Sequence, residues 1–144
     1  MTPQTRILPL LIALLLAAGT GSAQSRPDVP AFLAAAGDAG REMALLMPSI
    51  QQVNKATAYL PVIGAARNLA SRAQQAGARM TAEQYETMQR ELAKLETDLD
   101  KLLGTSGSAC PKSCRDAFGD GHPGGKGWNR FVCKLGCIKI NSRP

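Results

Sequence analysis

A chain of 144 residues in which 44% of side chains are hydrophobic but only 4% aromatic has enough length for one compact domain and few large side chains to fill it. Ala and Leu are prominent, which sets an all-α class as the expectation over a β-rich one. The formal net charge is +6, and where that charge sits along the chain carries more information than its size.

The first residues read as an export signal. Arg6 precedes an apolar run from Ile7 to Gly19, followed by the small residues Gly21-Ser22-Ala23. The run is shorter than the roughly 20 apolar residues a membrane-spanning helix needs. This pattern predicts a signal peptide over residues 1–23, cut after Ala23. Gln24 rather than Cys stands directly after the cut, which argues against a lipidated N-terminus. The expected location is secreted or periplasmic, with no transmembrane span after cleavage, and disulfides persist there.

Residues 24–103 are predicted to form a helical bundle. Asp28 is a candidate N-cap for a first short helix. Met43, Leu46, Ile50, Val53, Thr57 and Leu60 then repeat at spacings of 3 and 4. Pro48 falls inside this register and Pro61 ends it. A proline in a helix interior removes a hydrogen bond, so a kink or break is expected near Met47 and another at Leu60. Val62, Ala66, Leu69, Ala73, Ala76 and Met80 continue the same period with smaller residues, and Gly77 is a natural stop. Tyr85, Met88, Leu92, Leu95, Leu99 and Leu102 give the clearest seam, placing a helix over 82–103. Thr81 and Gln84 form a capping box at its start, and Gly104 ends it. The last two segments are expected to pair as an αα-hairpin. Such seams serve bundle packing, or they serve a coiled-coil contact in a homo-oligomer.

Residues 104–108 read as a linker, and 109–144 as a basic tail carrying all four cysteines. These stand as Cys110-x-x-x-Cys114 and Cys133-x-x-x-Cys137, each pair on one helical face. A bond within a pair would require a helix to distort. Two antiparallel helices instead align first with last, which predicts Cys110–Cys137 and Cys114–Cys133. Pro111 suits a first helical turn, and Gly119 ends the first helix after Phe118. A second helix is expected over about 128–138, with Phe131, Leu135 and Ile138 adding apolar contacts. The spacing resembles that of the α-hairpinins, small secreted peptides of two helices joined by two disulfides. That likeness covers residues 110–137 alone and departs from the family in the long gap between Cys114 and Cys133. It implies a helical hairpin with the same pairing, and roles as antimicrobial, inhibitory or channel-blocking peptides.

Charge divides the chain. Residues 24–103 hold nine basic and nine acidic side chains, whereas 104–144 hold seven basic against Asp116 and Asp120. A net of +5 confined to the tail points to an anionic partner, or else to a solvated basic surface with no specific one. Candidate contact residues are Lys112, Arg115, Lys126, Trp128, Arg130, Lys134 and Lys139, with Trp128 read either as an exposed anchor beside cations or as the cap of a small hairpin core. No cofactor is expected. A zinc site on the four cysteines, or on three with His122, conflicts with an oxidising compartment. Residues 24–103 contain neither His nor Cys, and their carboxylates are placed on solvent faces. No His-Asp dipeptide of the kind expected in secreted phospholipases A2 occurs, nor a Cys-x-x-Cys redox motif. The expectation is therefore an exported, non-enzymatic binding protein whose tail meets an anionic surface, such as lipid headgroups or cell-wall polymer, or a protein. The alternative is a membrane-active or toxin-like protein.

Overall fold

A computed structural model of this protein describes residues 28–104 and 109–141, excluding the side chains of 139–141. The expected signal peptide, most of the linker and the side chains of Lys139 and Arg143 lie outside the described residues. The described residues form five α-helices: α1 (Val29–Ile50), α2 (Ala56–Ala76), α3 (Ala82–Leu103), α4 (Ala109–Phe118) and α5 (Lys126–Asn141). A short 3-10 turn, Gly77–Arg79, joins α2 to α3.

Local chemistry sets the helix ends. At the head of α3, Gln84 N–H donates to the Thr81 hydroxyl while Thr81 N–H donates to the Gln84 side chain, completing the capping box. Gly104 closes α3 in the left-handed conformation, with φ of 65°. The prolines do less than expected. Pro48 sits in the last turn of α1, which continues to Ile50, and Pro61 lies inside α2. The break falls between them, over residues 51–55, and ends at Lys55 with φ of 68°. The expected breaks at Met47 and Leu60 are therefore replaced by a single turn. Pro61 and Thr57, four residues before it, both lie on the exposed face. Water can satisfy the carbonyl that the proline leaves without a donor. The first helix is also long rather than short. Asp28 occupies its N-cap position without a side-chain capping bond.

Contacts along the helices fix their directions. Gln74 Nε2 donates to the Leu33 carbonyl, and a Cβ on Gly40 would touch Ala70, so α1 and α2 run antiparallel. Arg72 meets Glu91, and the Tyr59 hydroxyl donates to the Leu102 carbonyl, so α2 and α3 are antiparallel as well. Helix α5 packs against both α1 and α3. It runs parallel to α3, because Glu96 meets Arg130 and Asp100 meets Lys134. Helices α1, α2, α3 and α5 thus close a four-membered ring. Helix α4 runs back along the outside of α5, bringing the chain to the end of the ring from which α5 can rise parallel to α3.

This arrangement explains the tail. Its second helix is half of the disulfide-stapled hairpin and also the fourth wall of the bundle. Trp128, Phe131, Leu135 and Ile138 are buried in the same core as Phe32, Met43, Ile63, Leu69, Leu92 and Leu99. The seam residues Met88, Leu92 and Leu99 are likewise buried within the chain. The glycines before and at the start of α5 permit this docking. A Cβ at Gly125 would stand 2.8 Å from Ala35 Cβ and 3.2 Å from the Ala31 carbonyl oxygen. One at Gly127 would stand 3.0 Å from Leu92 Cδ2. The glycine-rich stretch therefore serves close approach at these two positions. Two disulfides, Cys110–Cys137 and Cys114–Cys133, tie α4 to α5 in the pairing expected from antiparallel alignment. Among the described residues no helix is long and apolar enough to cross a membrane.

Candidate functional site

The main gathering of ionisable groups lies between α3 and α5. Glu96 and Asp100 occupy successive turns of α3, and Arg130 and Lys134 occupy successive turns of α5. Parallel packing brings the two pairs into register. Arg130 Nη2 donates to Glu96 Oε1 at 2.7 Å, and its Nε donates to Oε2 at 2.6 Å. Lys134 Nζ bridges the acids, 2.8 Å from Glu96 Oε2 and 2.9 Å from Asp100 Oδ2. Arg130 also donates through Nη1 to the Gly121 carbonyl at 2.8 Å and to the Gly119 carbonyl, fastening the α4–α5 connection. His122, on that connection, has Nε2 3.0 Å from Arg130 Nη2 and 3.3 Å from Glu96 Oε1.

Burial makes this cluster costly to disturb. Arg130, Lys134 and Glu96 are 2%, 1% and 6% exposed. Burial is the largest influence on the Glu96 carboxyl and would raise its pKa. Hydrogen bonds from Arg130 and Lys134, with the attraction of both cations, outweigh it and hold the group below the usual carboxylate range. The same hydrogen bonding with Glu96 raises the Arg130 pKa. The cluster is thus a set of fixed charges satisfied by one another.

The tail residues considered as a contact surface separate accordingly. Lys112 and Lys126 are exposed and Arg115 is half-buried. Trp128, Arg130 and Lys134 are buried, which corrects the picture of an exposed aromatic among free cations. The physical reason is the helical period: the stripe that carries Trp128 and Phe131 faces the ring, and Arg130 and Lys134 turn toward the acids of α3. Trp128 stacks at a tilt on Phe32, centroids 5.9 Å apart. Its indole Nε1 is buried without a hydrogen-bond partner among the described residues. Glu96 and Asp100, placed on a solvent face from sequence, are the other half of the cluster. Their signal was present as an acid pair and a base pair, each spaced one helical turn, which a search for complementary i,i+4 pairs between segments would have found.

The charge asymmetry changes with them. Setting Arg130 and Lys134 against Glu96 and Asp100 leaves five cations and two acids in 104–144, and nine cations and seven acids in 24–103. An excess of +5 against 0 becomes +3 against +2.

The described residues also form surface hollows, two of which bear on function. A cleft of about 550 Å³ lies between the C-terminal half of α2 and the start of α3, spanned by the exposed Arg72–Glu91 pair. A more apolar groove of about 300 Å³ lies between α1 and the α4–α5 hairpin. No group of three His, Cys, Asp or Glu side chains suited to a metal occurs among the described residues. No family model, curated protein or solved structure matches the chain.

Proposed function

We propose that this is an exported, non-catalytic binding protein that engages a protein partner on the side of the molecule where α4 straps α5. Two disulfides and the N-terminal signal pattern support an oxidising compartment outside the cytoplasm. The observation that carries the choice of partner is the burial of Arg130 and Lys134 against Glu96 and Asp100. Tail charge spent inside the bundle cannot attract an anionic surface. Among the described residues the exposed remainder, Lys112 and Lys126 with half-buried Arg115, is partly offset by exposed Asp116 and Asp120. Burial of Trp128 also removes the aromatic anchor that a membrane-active role would use.

The test places a photo-crosslinking amino acid at exposed Asn129, beside the strap, and in a second variant at exposed Arg67 on α2. In the producing cell, position 129 should give one adduct of defined mass and position 67 none. Equal labelling from both positions, or none from 129, overturns the reading. In parallel, the mature oxidised protein is sedimented with phosphatidylglycerol vesicles. Weak binding that salt abolishes is expected, whereas salt-resistant binding with vesicle leakage would establish the membrane-active alternative.

A further inference from the structure

The groove between α1 and the α4–α5 hairpin combines an apolar floor with an acidic edge. Ala35 and Ala39 form the α1 side, Val132 and Cys133 the α5 side, and Phe118 closes the end at α4. Asp38 and Glu42 stand one helical turn apart along the α1 edge. Asp38 is paired with Arg41, whereas Glu42 has no ion-pair partner among the described residues. We propose that this groove docks a segment of a protein partner that presents a Lys or Arg beside an aliphatic side chain. The cation meets Glu42, and the aliphatic group settles between Val132 and the α1 alanines.

Size, charge and rigidity agree on that occupant. At about 300 Å³, the groove is at the small end of ligand pockets and admits one or two side chains. Alanines on the α1 wall let a partner backbone come close. The exposed carboxylate at the edge favours a cationic segment and opposes phosphate-bearing surfaces, so a membrane or nucleic acid has the wrong sign here. Cys114–Cys133 fixes α4 covalently beside α5, so the Phe118 wall stands before the partner arrives. A preformed wall lowers the ordering cost of binding. The proposal rests on the protein-binding reading above and specifies the chemistry of the partner.

The experiment titrates the mature, oxidised, isotope-labelled chain with two capped peptides, Gly-Leu-Lys-Leu-Gly and Gly-Leu-Glu-Leu-Gly. Amide resonances of Ala35, Ala39, Asn129 and Val132 should shift saturably with the lysine peptide at about 1 mM, and barely move with the glutamate peptide. Glu42→Gln should weaken the lysine peptide about threefold, the size expected of one exposed ion pair, while Glu86→Gln on α3 should change nothing. Absence of shifts at these residues, equal response to both peptides, or an unaffected Glu42→Gln variant overturns the proposal. Cross-linking from position 129 without a peptide response would reject this groove chemistry alone. A peptide response without a cross-linked partner would keep the chemistry and reject the broader reading.

Discussion

Glu96 is the residue on which the tail depends. It accepts hydrogen bonds from both Arg130 and Lys134 in a site where neither cation reaches water. Replacing it by glutamine keeps the shape and removes the charge, leaving two buried cations to the weaker attraction of Asp100 and, for Arg130, Asp120. Breaking a buried ion pair from one side costs about 3 to 5 kcal/mol. Glu96→Gln should therefore lose about that much in a denaturant titration, enough to unfold a marginal domain. Changing Glu96, Asp100, Arg130 and Lys134 together to Leu or Met should recover much of it, because apolar groups of similar volume need no partners. Acid should act through the same residue. The folded-state pKa of Glu96 lies below its unfolded value, so its contribution is fully present above the ordinary carboxylate pKa of about 4.3 and is lost as pH falls through the lowered value. Urea midpoints of the wild type should fall between neutral pH and about pH 3, and those of Glu96→Gln should fall less. An equal fall in both would assign the acid sensitivity to other carboxylates.

At the scale of helices, α3 was legible to the residue and α1 and α2 were not. Thr81, Gln84 and Gly104 are local signals, acting within one turn of the backbone they cap, so sequence alone contains them. Pro48 and Pro61 are also local, but their effect depends on whether the freed carbonyl faces water or the core, which is a tertiary fact. The disulfide pairing was legible because antiparallel alignment leaves one sterically easy choice. The place of α5 was not, since nothing in residues 109–144 states which surface their apolar stripe will meet. Two glycines, one just before α5 and one within it, show the difference in energetic terms. Gly125→Ala forces a methyl group into Ala35 and the Ala31 carbonyl, and should destabilise by about 1 to 3 kcal/mol as overpacking does. Gly136→Ala meets nothing within 4 Å in mid-helix and should stabilise by up to about 1 kcal/mol through helix propensity. Thermal unfolding of the two variants should move in opposite directions. Removing Cys114 and Cys133 together opens a closure of 19 residues, worth about 3 kcal/mol in the chain-entropy account. The remaining Cys110–Cys137 bond should then hold α4 less firmly, and a protease should cut between α4 and α5 sooner than in the wild type.

For the whole molecule, the bundle helices and the stapled hairpin share one core. Three of the four ring helices precede Gly104, and the fourth arrives only after the strap has turned back. Without α5, residues 24–103 would expose Phe32 and Leu92 along an open side and leave Glu96 without its cations. Without the ring, the tail would expose Trp128, Phe131, Leu135 and Ile138, and a helix of 16 residues is marginal in water even when stapled to another. Neither part should fold to its native form alone. Trp128 is the single tryptophan and lies fully buried beside Phe32, so its fluorescence reports the docking directly. The oxidised peptide 104–144 should emit at the long wavelength of a solvated indole. Addition of residues 24–103 should shift the emission toward that of the full chain, with saturation at equal amounts. The complex should resist salt, because apolar contacts and a buried ion cluster hold it together rather than surface charge. A Glu96→Gln version of 24–103 should fail to produce the shift at concentrations where the wild type saturates. If the isolated tail already emits at the short wavelength of a buried indole as a monomer, the hairpin holds a core of its own and the molecule is two units after all.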